Sequence, residues 1–499
     1  MSALLHTPEQ AVNWLHLRGA GALHADSRRM RGGDAFMAWP GAATDARRFV
    51  PQLLATGARA CLIEDQGSDQ VGLDLDDARV ARYAGLKMAA GPIAAKFYRE
   101  PSAAMSVLAV TGTNGKTSTA WWLAQALSAA GRRCALVGTL GIGEPASLMH
   151  NGLTTPDPVL LHGQLRRLAD EGCVACALEA SSIGLAEERL AGLRIHTAIL
   201  TNFTQDHLDY HGSMEAYWQA KARLFDWPDL RAAVVNIDDP KGAGLVKELA
   251  QRSGLELWTV SCQGDARLRA RNIGAQDGAM VFEVHEGNRS ATLRTPAAGR
   301  YNVSNLLGVF AALRSLGLSL DQALAACANL TPVTGRMESF GAAGEPLVVV
   351  DYAHTPDALE QALDALRPIA QARGGQLWVV FGCGGDRDRL KRPLMAAAAE
   401  RRADRLVLTS DNPRSESPQA IVQEMLKGLH PDAPVQVQAD RAQAIALALG
   451  QAQACDVVLV AGKGHEDYQE IGAQRLPFSD RQQVLQALQV RRSEKAHAS

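Results

Sequence analysis

The chain has 499 residues, of which 47% are hydrophobic and 21% are charged, and its formal net charge is −2. This is the composition of a folded globular protein, and it excludes a disordered chain, a collagen-like repeat and a small disulfide-rich scaffold. The near-neutral charge gives no global attraction to nucleic acid or to an anionic membrane. At roughly 150 residues per domain, the length predicts about three domains.

The sequence contains eight cysteines and no apolar segment that predicts export or membrane insertion. Cys173 and Cys176 form a C-x-x-C pair inside an apolar run, so we interpret them as buried small side chains and not as a zinc or redox site. Scattered, unpaired cysteines are typical of a reducing compartment. We therefore expect a cytoplasmic protein that is not inserted in a membrane.

Short apolar runs alternate with Ala- and Leu-rich helical stretches through most of the chain. A polar or glycine-rich turn follows each run, which is typical of strands buried on both faces of a mostly parallel sheet. Ligands bind at the carboxyl ends of such strands, so the residues after each run are candidates for chemistry. The predicted strands lie at residues 107–110, 198–200, 233–235, 347–350, 377–380, 406–408 and 457–460.

Residues 110–119, with the sequence VTGTNGKTST, join an apolar strand to an amphipathic stretch that stops at Gly131. The order strand, glycine loop and helix predicts a phosphate site, because glycines let successive N–H groups point at one anion and the helix adds its positive end. Lys116 would contact the β- and γ-phosphates, and the Thr117 hydroxyl would bind Mg²⁺. The strict P-loop pattern needs glycine at Val110, so this is a shorter relative that predicts ATP or GTP binding.

Two further polar clusters follow predicted strands. Glu179 ends the apolar run 173–178, where a P-loop protein places a Mg²⁺-coordinating acid. The sequence DHLDYHG at residues 206–212 is either a polar loop with a helix-capping aspartate or a loop in which His207 binds metal or phosphate. By composition alone, Lys221 is a lysine on the surface of a helix.

These motifs together resemble the Mur ligase family of peptidoglycan synthesis. They occur in the family's order along essentially the whole chain, beginning with DSR at residues 26–28. The remaining motifs are TGTNGKT (111–117), EASS (179–182), DHLDYHG (206–212), AKARLF (220–225), GRYNVSNLL (299–307), GRME (335–338), VDYAHTP (350–356), GCGGDRD (382–388) and AGKGHE (461–466).

Within the family, SDNPR at residues 410–414 is similar to the segment of enzymes that add meso-2,6-diaminopimelate to UDP-N-acetylmuramoyl-L-alanyl-D-glutamate. Lysine-adding relatives lack this arginine. Diaminopimelate carries an extra carboxylate at its far end, which an arginine can bind through two N–H groups, whereas the same arginine repels the lysine ammonium. The resemblance implies that ATP phosphorylates the D-glutamate carboxylate and that the incoming amine attacks the acyl phosphate.

The resemblance implies an α/β fold with three domains. These are a smaller α/β N-terminal domain at 1–92 that binds the UDP-substrate, a central P-loop ATPase domain with a mostly parallel sheet at 93–334, and a Rossmann-like C-terminal domain at 335–499 that binds the amino acid. The boundaries follow a Gly- and Pro-containing stretch near residue 92 and the turn residues 331–336. The implied partners are the UDP-dipeptide, diaminopimelate and ATP, without nucleic acid, and we expect a monomer.

The resemblance also implies a role for each matched residue. The catalytic residues would be Lys116, His207 and Lys221, with Lys221 carbamylated to N6-carboxylysine. Mg²⁺ would be bound by Thr117, Glu179, His207 and Lys221. ATP would be bound by Gly112, Thr113, Asn114, Gly115, Lys116, Thr117, Ser118, Asn302, Arg336 and Asp351, with His354 near the adenine. The UDP-substrate would be bound by Ser27, Ala42, Ala43, Thr44, Thr154, Thr155, Ser181, Glu187 and Arg189. Diaminopimelate would be bound by Arg387, Asp411, Asn412, Pro413, Arg414, Gly462 and Glu466.

Some positions depart from the family pattern, notably Ile183, Glu187 and residues 42–44 on the UDP side. Other ligases of the superfamily, such as folylpolyglutamate synthase or the D-Ala-D-Ala-adding enzyme, remain alternatives, but SDNPR and DSR argue against both. A lysine-adding enzyme is opposed by Arg414. A non-catalytic nucleotide-binding protein with the same fold would be expected to lose part of the set Lys116, Glu179, His207 and Lys221, which this chain keeps.

Overall fold

The computed structural model describes residues 3–41, 44–276, 279–295 and 299–498. In these residues the chain builds three α/β units in succession, around sheets of five, eleven and six strands, and adds a two-stranded hairpin in the last unit. Within the described part of the chain, every helix is too short or too polar to cross a bilayer.

The N-terminal unit is a parallel sheet with three helices packed on it. Its strands are β1 (Ala3–Leu5), β2 (Leu23–His24), β3 (Ala35–Ala38), β4 (Ala60–Glu64) and β5 (Val80–Tyr83), in the spatial order β1-β5-β4-β3-β2. Its helices are α1 (Pro8–Leu17), α2 (Val50–Ala55) and α3 (Leu86–Phe97). The Thr7 side chain accepts a hydrogen bond from the Gln10 N–H and so caps α1.

The central unit is built on the eleven-stranded sheet. Its strands are β6 (Ser106–Thr111), β7 (Cys134–Gly138), β8 (Gly141–Glu144), β9 (Ser147–Met149), β10 (Ala175–Glu179), β11 (Thr197–Leu200), β12 (Ala232–Asn236), β13 (Glu256–Ser261), β14 (Leu268–Gln276), β15 (Ala279–Glu286) and β16 (Arg289–Thr295). Their order is β16-β15-β14-β13-β12-β11-β6-β10-β7-β8-β9, and antiparallel strands at both ends flank a parallel centre. Its helices are α4 (Lys116–Ala129), α5 (Pro158–Asp170), α6 (Ser182–Ala186), α7 (Leu208–His211), α8 (Met214–Ala222), α9 (Pro240–Leu249), α10 (Arg300–Ser315) and α11 (Leu320–Cys327).

The C-terminal unit contains the six-stranded sheet and the hairpin. Its strands are β17 (Glu338–Phe340), β18 (Leu347–Asp351), β19 (Leu377–Phe381), β20 (Arg405–Leu408), β21 (Val435–Val437) and β22 (Val457–Ala461), followed by the hairpin strands β23 (Tyr468–Ile471) and β24 (Gln474–Pro477). The sheet order is β17-β18-β22-β19-β20-β21, and β17 alone pairs antiparallel. Its helices are α12 (Pro356–Arg373), α13 (Lys391–Arg402), α14 (Pro418–Leu426), α15 (Arg441–Gln451) and α16 (Asp480–Ala498).

The central strands are buried on both faces, which explains their nearly continuous apolar sequence. Leu108 and Val110 of β6 pack in one hydrophobic cluster, whereas Val107 and Ala109 pack in the cluster on the opposite face. The same alternation occurs in the other two sheets. All seven predicted strands are confirmed, and each ends within one residue of its predicted end.

Of the two predicted domain boundaries, one falls inside a helix and the other in a loop. Residue 92 lies inside α3, and Ile93, Ala94 and Phe97 pack in the same cluster as the N-terminal strands, so the contacts of this unit extend to Phe97. Residue 334 lies in the loop between α11 and β17, where the chain passes from one sheet to the next.

The N-terminal and central units are joined by close apolar packing. Val159, in the first turn of α5, belongs to the hydrophobic cluster of the N-terminal sheet. A Cβ atom at Gly91 of α3 would lie 2.2 Å from the Ala191 carbonyl oxygen, so only glycine permits this approach. The two units therefore share part of one core.

Seven of the eight cysteines are buried, and none forms a disulfide. Cys176 lies in β10 and Cys173 just before it, as the apolar run predicts. Burial raises the pKa of the Cys61 thiol to about 12, and burial likewise raises that of the Cys383 thiol to about 12. No group of three or more His, Cys, Asp or Glu side chains placed to hold a metal ion occurs in the described residues.

Candidate active site

The phosphate loop lies between the end of β6 and the start of α4, as predicted. Gly112 and Gly115 both have positive φ angles, of 143° and 84°. Side chains at either position would collide with neighbours, because a Cβ would lie 1.9 Å from Thr201 Oγ1 or 2.5 Å from Asn305 Oδ1. Lys116 folds back over the loop and donates hydrogen bonds to the carbonyl oxygens of Gly112 and Thr113, at 2.9 and 2.8 Å. The loop thus has the curled shape that its glycines predict.

A buried carboxylate lies against the start of α4. The Thr117 hydroxyl donates to Glu179 Oε2 at 2.9 Å, and both residues are almost fully buried. Glu179 also accepts the backbone N–H of Thr139 at 2.8 Å, and Arg336 Nη2 approaches Thr117 Oγ1 at 3.3 Å. The hydroxyl and the carboxylate are hard oxygen donors, which are the ligands that Mg²⁺ prefers. The hydroxyl and carboxylate present therefore fit a Mg²⁺ ion.

Lys221 lies beside the phosphate loop and is not a surface residue. Its side chain is buried, its Nζ donates to the Gly112 carbonyl oxygen at 2.6 Å, and it lies 4.5 Å from the centre of the Tyr217 ring. Burial, together with the charge of Lys116, holds the pKa of Lys221 well below its usual value. Burial also lowers the pKa of Lys116, which Glu179 opposes. The composition-based interpretation of Lys221 as a surface lysine is wrong.

Asp206 and His207 lie at the junction between the central and C-terminal units. Asp206 is buried and is approached by Lys391 Nζ at 3.4 Å and by His354 Nε2 at 3.6 Å, both from the C-terminal unit. Burial opposes its ionisation, but Lys391 holds the pKa of Asp206 well below its usual value. His207 Nε2 lies 3.5 Å from Asp206 Oδ2, and burial lowers the pKa of His207 to about 4. His207 is therefore a neutral imidazole at physiological pH.

Further polar contacts cross the same junction. Asn114 of the phosphate loop donates to Asp357 Oδ2 at 3.1 Å, and Gln205 donates to Asp388 Oδ2 at 3.3 Å. Asp351 of the C-terminal unit was predicted to contact the nucleotide. The Asp351 carboxylate accepts the backbone N–H groups of Met337 and Ala353, both at 2.8 Å, and burial raises its pKa.

A cavity of about 890 Å³ opens between the central and C-terminal units. Its walls combine residues predicted to contact the UDP-substrate with residues predicted to contact the amino acid. Those that line it are Thr154, Thr155, Ser181, Arg189, His207, Arg387, Asp411, Asn412, Arg414, Gly462 and Glu466, together with Ile183 and His354.

Hydrogen bonds order the central wall of this cavity. The Thr155 hydroxyl donates to the Glu179 carbonyl oxygen at 2.8 Å and lies 3.0 Å from Ser181 Oγ. Arg189 Nη1 donates to the Thr155 carbonyl oxygen at 3.0 Å. Thr154 Oγ1 lies 3.0 Å from Thr139 Oγ1, which in turn donates to Glu179. The predicted UDP-side residues of the central unit thus connect to Glu179, Thr155 through the backbone carbonyl oxygen and Thr154 through the Thr139 hydroxyl.

On the C-terminal wall, hydrogen bonds to neighbouring groups fix the charged side chains Arg414 and Glu466. Arg414 has a positive φ angle of 50°, and its Nη1 donates to the Gly385 carbonyl oxygen at 2.9 Å. Glu466 accepts hydrogen bonds from Lys463 Nζ and Asn412 Nδ2, at 2.8 and 2.9 Å. The Lys463 side chain is fully buried, so its charge lies beneath the floor of the cavity.

Other predicted contact residues lie away from the cavity lining. Glu187 pairs with Lys87 Nζ at 2.5 Å and accepts a hydrogen bond from the Tyr210 hydroxyl, so in the described residues its carboxylate bridges the N-terminal and central units. Ser27 and Thr44 belong to the N-terminal unit and are not among the residues around the cavity. Ala42 and Ala43 lie outside the described residues.

The remaining predicted residues occupy the phosphate loop or support loops around the cavity. Asn302 is buried near the start of α10, and Ser118 is buried in the first turn of α4. The Pro413 carbonyl oxygen lies against Gly385, and a Cβ atom at Gly385 would lie 1.9 Å from this oxygen.

Sequence reasoning missed Asp206 and Lys391 as members of the site. Asp206 begins the motif DHLDYHG, in which only the neighbouring His207 was predicted to bind metal or phosphate. Lys391 follows a charged stretch and has the pattern of an exposed helix start, and only the fold brings it to Asp206 across 185 residues of sequence.

The fold and the site define a class: a P-loop nucleotide-binding enzyme in which a second α/β unit closes one side of a polar cavity. Two family models match the chain. Residues 110–313 match the Mur ligase middle domain, and residues 335–464 match the Mur ligase glutamate ligase domain.

Relatives match over nearly the full length. A UDP-N-acetylmuramoyl-L-alanyl-D-glutamate–2,6-diaminopimelate ligase of Acidovorax sp. (strain JS42) is 57% identical, with 98% of this chain and 99% of that protein covered. The enzyme of the same name from Ralstonia nicotianae is 48% identical, with 96% of each chain covered. A solved structure of a ligase of that name is 35% identical, with a TM-score of 0.64 and 95% of each chain covered.

One more distant structure, a MurF ligase of Thermotoga maritima in complex with ADP, shares the fold at 18% identity, with a TM-score of 0.69 and with 96% of this chain and 99% of that chain covered. The chain belongs to the Mur ligase family of ATP-dependent ligases.

Proposed function

We propose that this enzyme joins meso-2,6-diaminopimelate to the D-glutamate side chain of UDP-N-acetylmuramoyl-L-alanyl-D-glutamate, with conversion of ATP to ADP and phosphate, in cytoplasmic peptidoglycan precursor synthesis. The observation that carries the proposal is one cavity with the phosphate-site carboxylate Glu179 behind one wall and Arg414 in the other. The match to relatives of that name along the whole chain supports the same substrates.

The phosphate loop supplies the ATP side of the reaction. Lys116, the loop N–H groups and the N-terminus of α4 would bind the phosphates. Thr117 and Glu179 would bind Mg²⁺, which when present offsets negative charge on the transferring phosphoryl group. Arg336, which approaches Thr117 from the C-terminal unit, would contact the nucleotide only when that unit is closed.

Lys221 would act as its carbamate. Carbamylation needs an unprotonated amine, and the burial that lowers the Lys221 pKa favours that form. The neutral amine would add to the carbon of CO₂ and lose a proton to solvent, which leaves a carbamate anion beside Lys116 and His207, so Lys221 and His207 would together supply a second Mg²⁺ site. The neutral state of His207 suits it as a ligand.

The chemistry divides into two steps that need positioning more than a protein nucleophile. A carboxylate is a poor electrophile, and phosphorylation by ATP converts it to an acyl phosphate. The amine of diaminopimelate then attacks the acyl carbon, and phosphate leaves from the tetrahedral intermediate. Cationic groups near the phosphoryl oxygens would stabilise the charge that develops in both steps.

The three units would divide the substrates between them. The N-terminal unit, with Ser27 and residues 42–44, would bind the uridine end, and the central wall with Thr154 and Arg189 would bind the muramoyl peptide. Arg387, Asn412 and Arg414 of the C-terminal unit would bind diaminopimelate. The enzyme would act as a monomer in the cytoplasm, without nucleic-acid or membrane partners.

An amino-acid panel assay tests the proposal. We expect release of ADP and phosphate only when the UDP-dipeptide and an amino acid are both present, and at least tenfold higher kcat/KM with meso-diaminopimelate than with lysine. Equal turnover with lysine would reject the specificity, and ADP release without the UDP-dipeptide would reject the ligase reaction.

The carbamate has a separate test. Lys221→Ala should lose at least a hundredfold in kcat, and added short carboxylates, which can occupy the vacated space, should restore part of it. Arg231→Ala, at an exposed position of the same unit, serves as a control. Full activity of Lys221→Ala would remove the carbamate from the mechanism.

A further inference from the structure

The short helix α7 begins directly after His207 and ends at His211. His207 has a positive φ angle of 53°, which is uncommon in residues other than glycine and persists only where the surroundings hold it. A helix of four residues is too short to be stable by itself, and none of the residues of α7 is buried. Side-chain contacts with other elements must therefore fix this helix, and with it the position of His207.

His211 makes two contacts of this kind. Its Nε2 lies 3.0 Å from the Oγ of Ser182, the first residue of α6, and its ring centre lies 5.1 Å from that of Tyr217 in α8. Ser182 and Tyr217 are only 2% and 1% exposed. The His211 N–H also donates to the His207 carbonyl oxygen at 3.0 Å. His211 thus ties the backbone of His207 to two buried residues of neighbouring helices.

A second side-chain contact of α7 lies nearer the surface. The Tyr210 hydroxyl donates to Glu187, but Tyr210 is 44% exposed and the Glu187 side chain is 31% exposed. Water can replace either partner of such a hydrogen bond at small net cost. His211, whose two partners are buried, is therefore the stronger of these two anchors.

The Tyr217 ring is a common neighbour of three groups around the phosphate loop. The His207 ring centre lies 6.1 Å from the Tyr217 ring centre, and Lys221 Nζ lies 4.5 Å from it. His211 packs against the same ring. His207 and Lys221 belong to different segments, so the packing of α7 on Tyr217 sets their separation.

We propose that His211 is a positioning residue: with Ser182 and Tyr217 it holds α7 so that His207 stays close to Lys221. This inference rests on the proposed function, in which His207 and Lys221 bind the second Mg²⁺. His211 is not among the described residues that line the cavity, so it would touch neither substrate nor metal. Groups that orient a metal ligand typically change metal affinity or activity by about tenfold to a hundredfold when they are removed.

The first test is the Mg²⁺ dependence of the reaction in His211→Ala, which removes both contacts of the ring. We expect kcat to fall about tenfold and the Mg²⁺ concentration for half-maximal activity to rise about tenfold. The KM for the UDP-dipeptide should change by less than about twofold, because α6 and the residues before it keep their own hydrogen bonds. His211→Gln, whose amide can still reach Ser182, should recover most of the Mg²⁺ affinity.

The second test measures metal binding without turnover. With a non-hydrolysable ATP analogue present, Mn²⁺ binding followed by electron paramagnetic resonance should show two ions on the wild-type protein. In His211→Ala one of them should bind about tenfold more weakly. Ser182→Ala should weaken the same ion by a smaller factor. The double variant should be no worse than His211→Ala, because the two residues act through one contact.

A matched control is His285→Ala, which removes an imidazole that lies 3.0 Å from Glu283 in β15 of the same unit. It should leave the Mg²⁺ dependence and Mn²⁺ binding unchanged.

Several results would overturn the proposal. If the KM for the UDP-dipeptide rises while the Mg²⁺ dependence stays the same, His211 orders the substrate wall and not His207. Unchanged Mn²⁺ binding in both His211→Ala and Ser182→Ala would also reject it. If His211→Ala fails to fold, the milder variants His211→Gln and Ser182→Ala decide by the same two measurements. Absence of turnover with diaminopimelate in the wild-type protein would reject the proposed function, whereas the Mn²⁺ comparison tests His211 in either case.

Discussion

The two junctions between the units differ in the kind of contact that joins them. The junction of the N-terminal and central units is close-packed: Gly91 leaves no room for a Cβ atom, and Val159 shares a core with the N-terminal sheet. The junction of the central and C-terminal units has an apolar contact, where Tyr301 of α10 packs on the C-terminal core, but around the large cavity its contacts are polar and ionic and include the pair of Asp206 and Lys391.

This difference indicates which junction can open. Close packing is lost steeply when surfaces separate, because no solvent group replaces the lost contacts. Ion pairs and hydrogen bonds exchange with water at small net cost, so a polar junction can open and close. We infer that the first two units move as one body and that the C-terminal unit closes on the nucleotide.

The largest effect should come from filling the first junction. In Gly91→Ala the new Cβ would lie 2.2 Å from the Ala191 carbonyl oxygen, which is backbone and cannot move aside. We expect a loss of about 3 kcal/mol in the free energy of unfolding, measured by urea denaturation. Gly244→Ala in α9, where a Cβ meets nothing within 4 Å, should instead stabilise by about 0.5–1 kcal/mol. Equal urea midpoints for the two variants would contradict the close-packed junction.

A smaller effect, mainly on activity, is expected at the second junction. Asp206→Asn keeps the shape and the bond to the His207 N–H but removes the charge that pairs with Lys391. We expect kcat to fall about tenfold to a hundredfold, equivalent to about 1.4–2.7 kcal/mol of activation free energy. The urea midpoint should fall by less than in Gly91→Ala, because Lys391 loses its buried partner but water can reach it when the junction opens.

Asp364→Asn, which removes an exposed pair between Asp364 on α12 and Arg402 on α13, is the matched control for Asp206→Asn and should keep full activity. A large loss of stability in Asp206→Asn with kcat intact would reverse the roles of the two junctions.

The smallest effect should appear as a pH dependence at the first junction. His162 is buried, its Nε2 lies 3.0 Å from the Ala191 carbonyl oxygen, and burial lowers its pKa to about 4. The unfolded chain binds a proton at His162 more tightly than the folded chain does. The free energy of unfolding therefore decreases as the pH falls from 6.5 towards 4.

His162→Gln keeps a donor for Ala191 and removes this titration. When the pH is lowered from about 7 to 5, the free energy of unfolding of His162→Gln should fall by about 2 kcal/mol less than that of the wild type. This follows from about 1.4 kcal/mol per pH unit below pH 6.5. His430→Gln, at an exposed position, serves as the control variant. An identical pH dependence in wild type and His162→Gln would show that His162 is not a buried neutral group.

Features that depend on local sequence could be predicted. Strands buried on both faces have continuous apolar sequence, and the loop from Gly112 to Thr117 has the glycines that its shape needs. Glu179 was found because it ends an apolar run, at the edge of the sheet where parallel strands place their ligands.

Features that depend on contacts between distant segments could not. The buried state of Lys221 comes from the packing of α8 against the phosphate loop, which leaves no signal in the helix sequence. Lys391 reaches Asp206 only because the C-terminal unit packs on the central unit, across 185 residues of sequence. Glu187 was predicted to contact the UDP-substrate, but the sequence does not reveal that Lys87 and Tyr210 already engage its carboxylate.

The buried cysteines of this protein can report local unfolding. Cys61 lies in β4, Cys176 in β10 and Cys383 shortly after β19, so each of the three large sheets carries at least one such thiol in or beside it. Burial and raised pKa values keep these thiols from alkylating reagents while the chain is folded. The rate at which each thiol is trapped therefore reports how often its own sheet opens, in a single sample and without an introduced label.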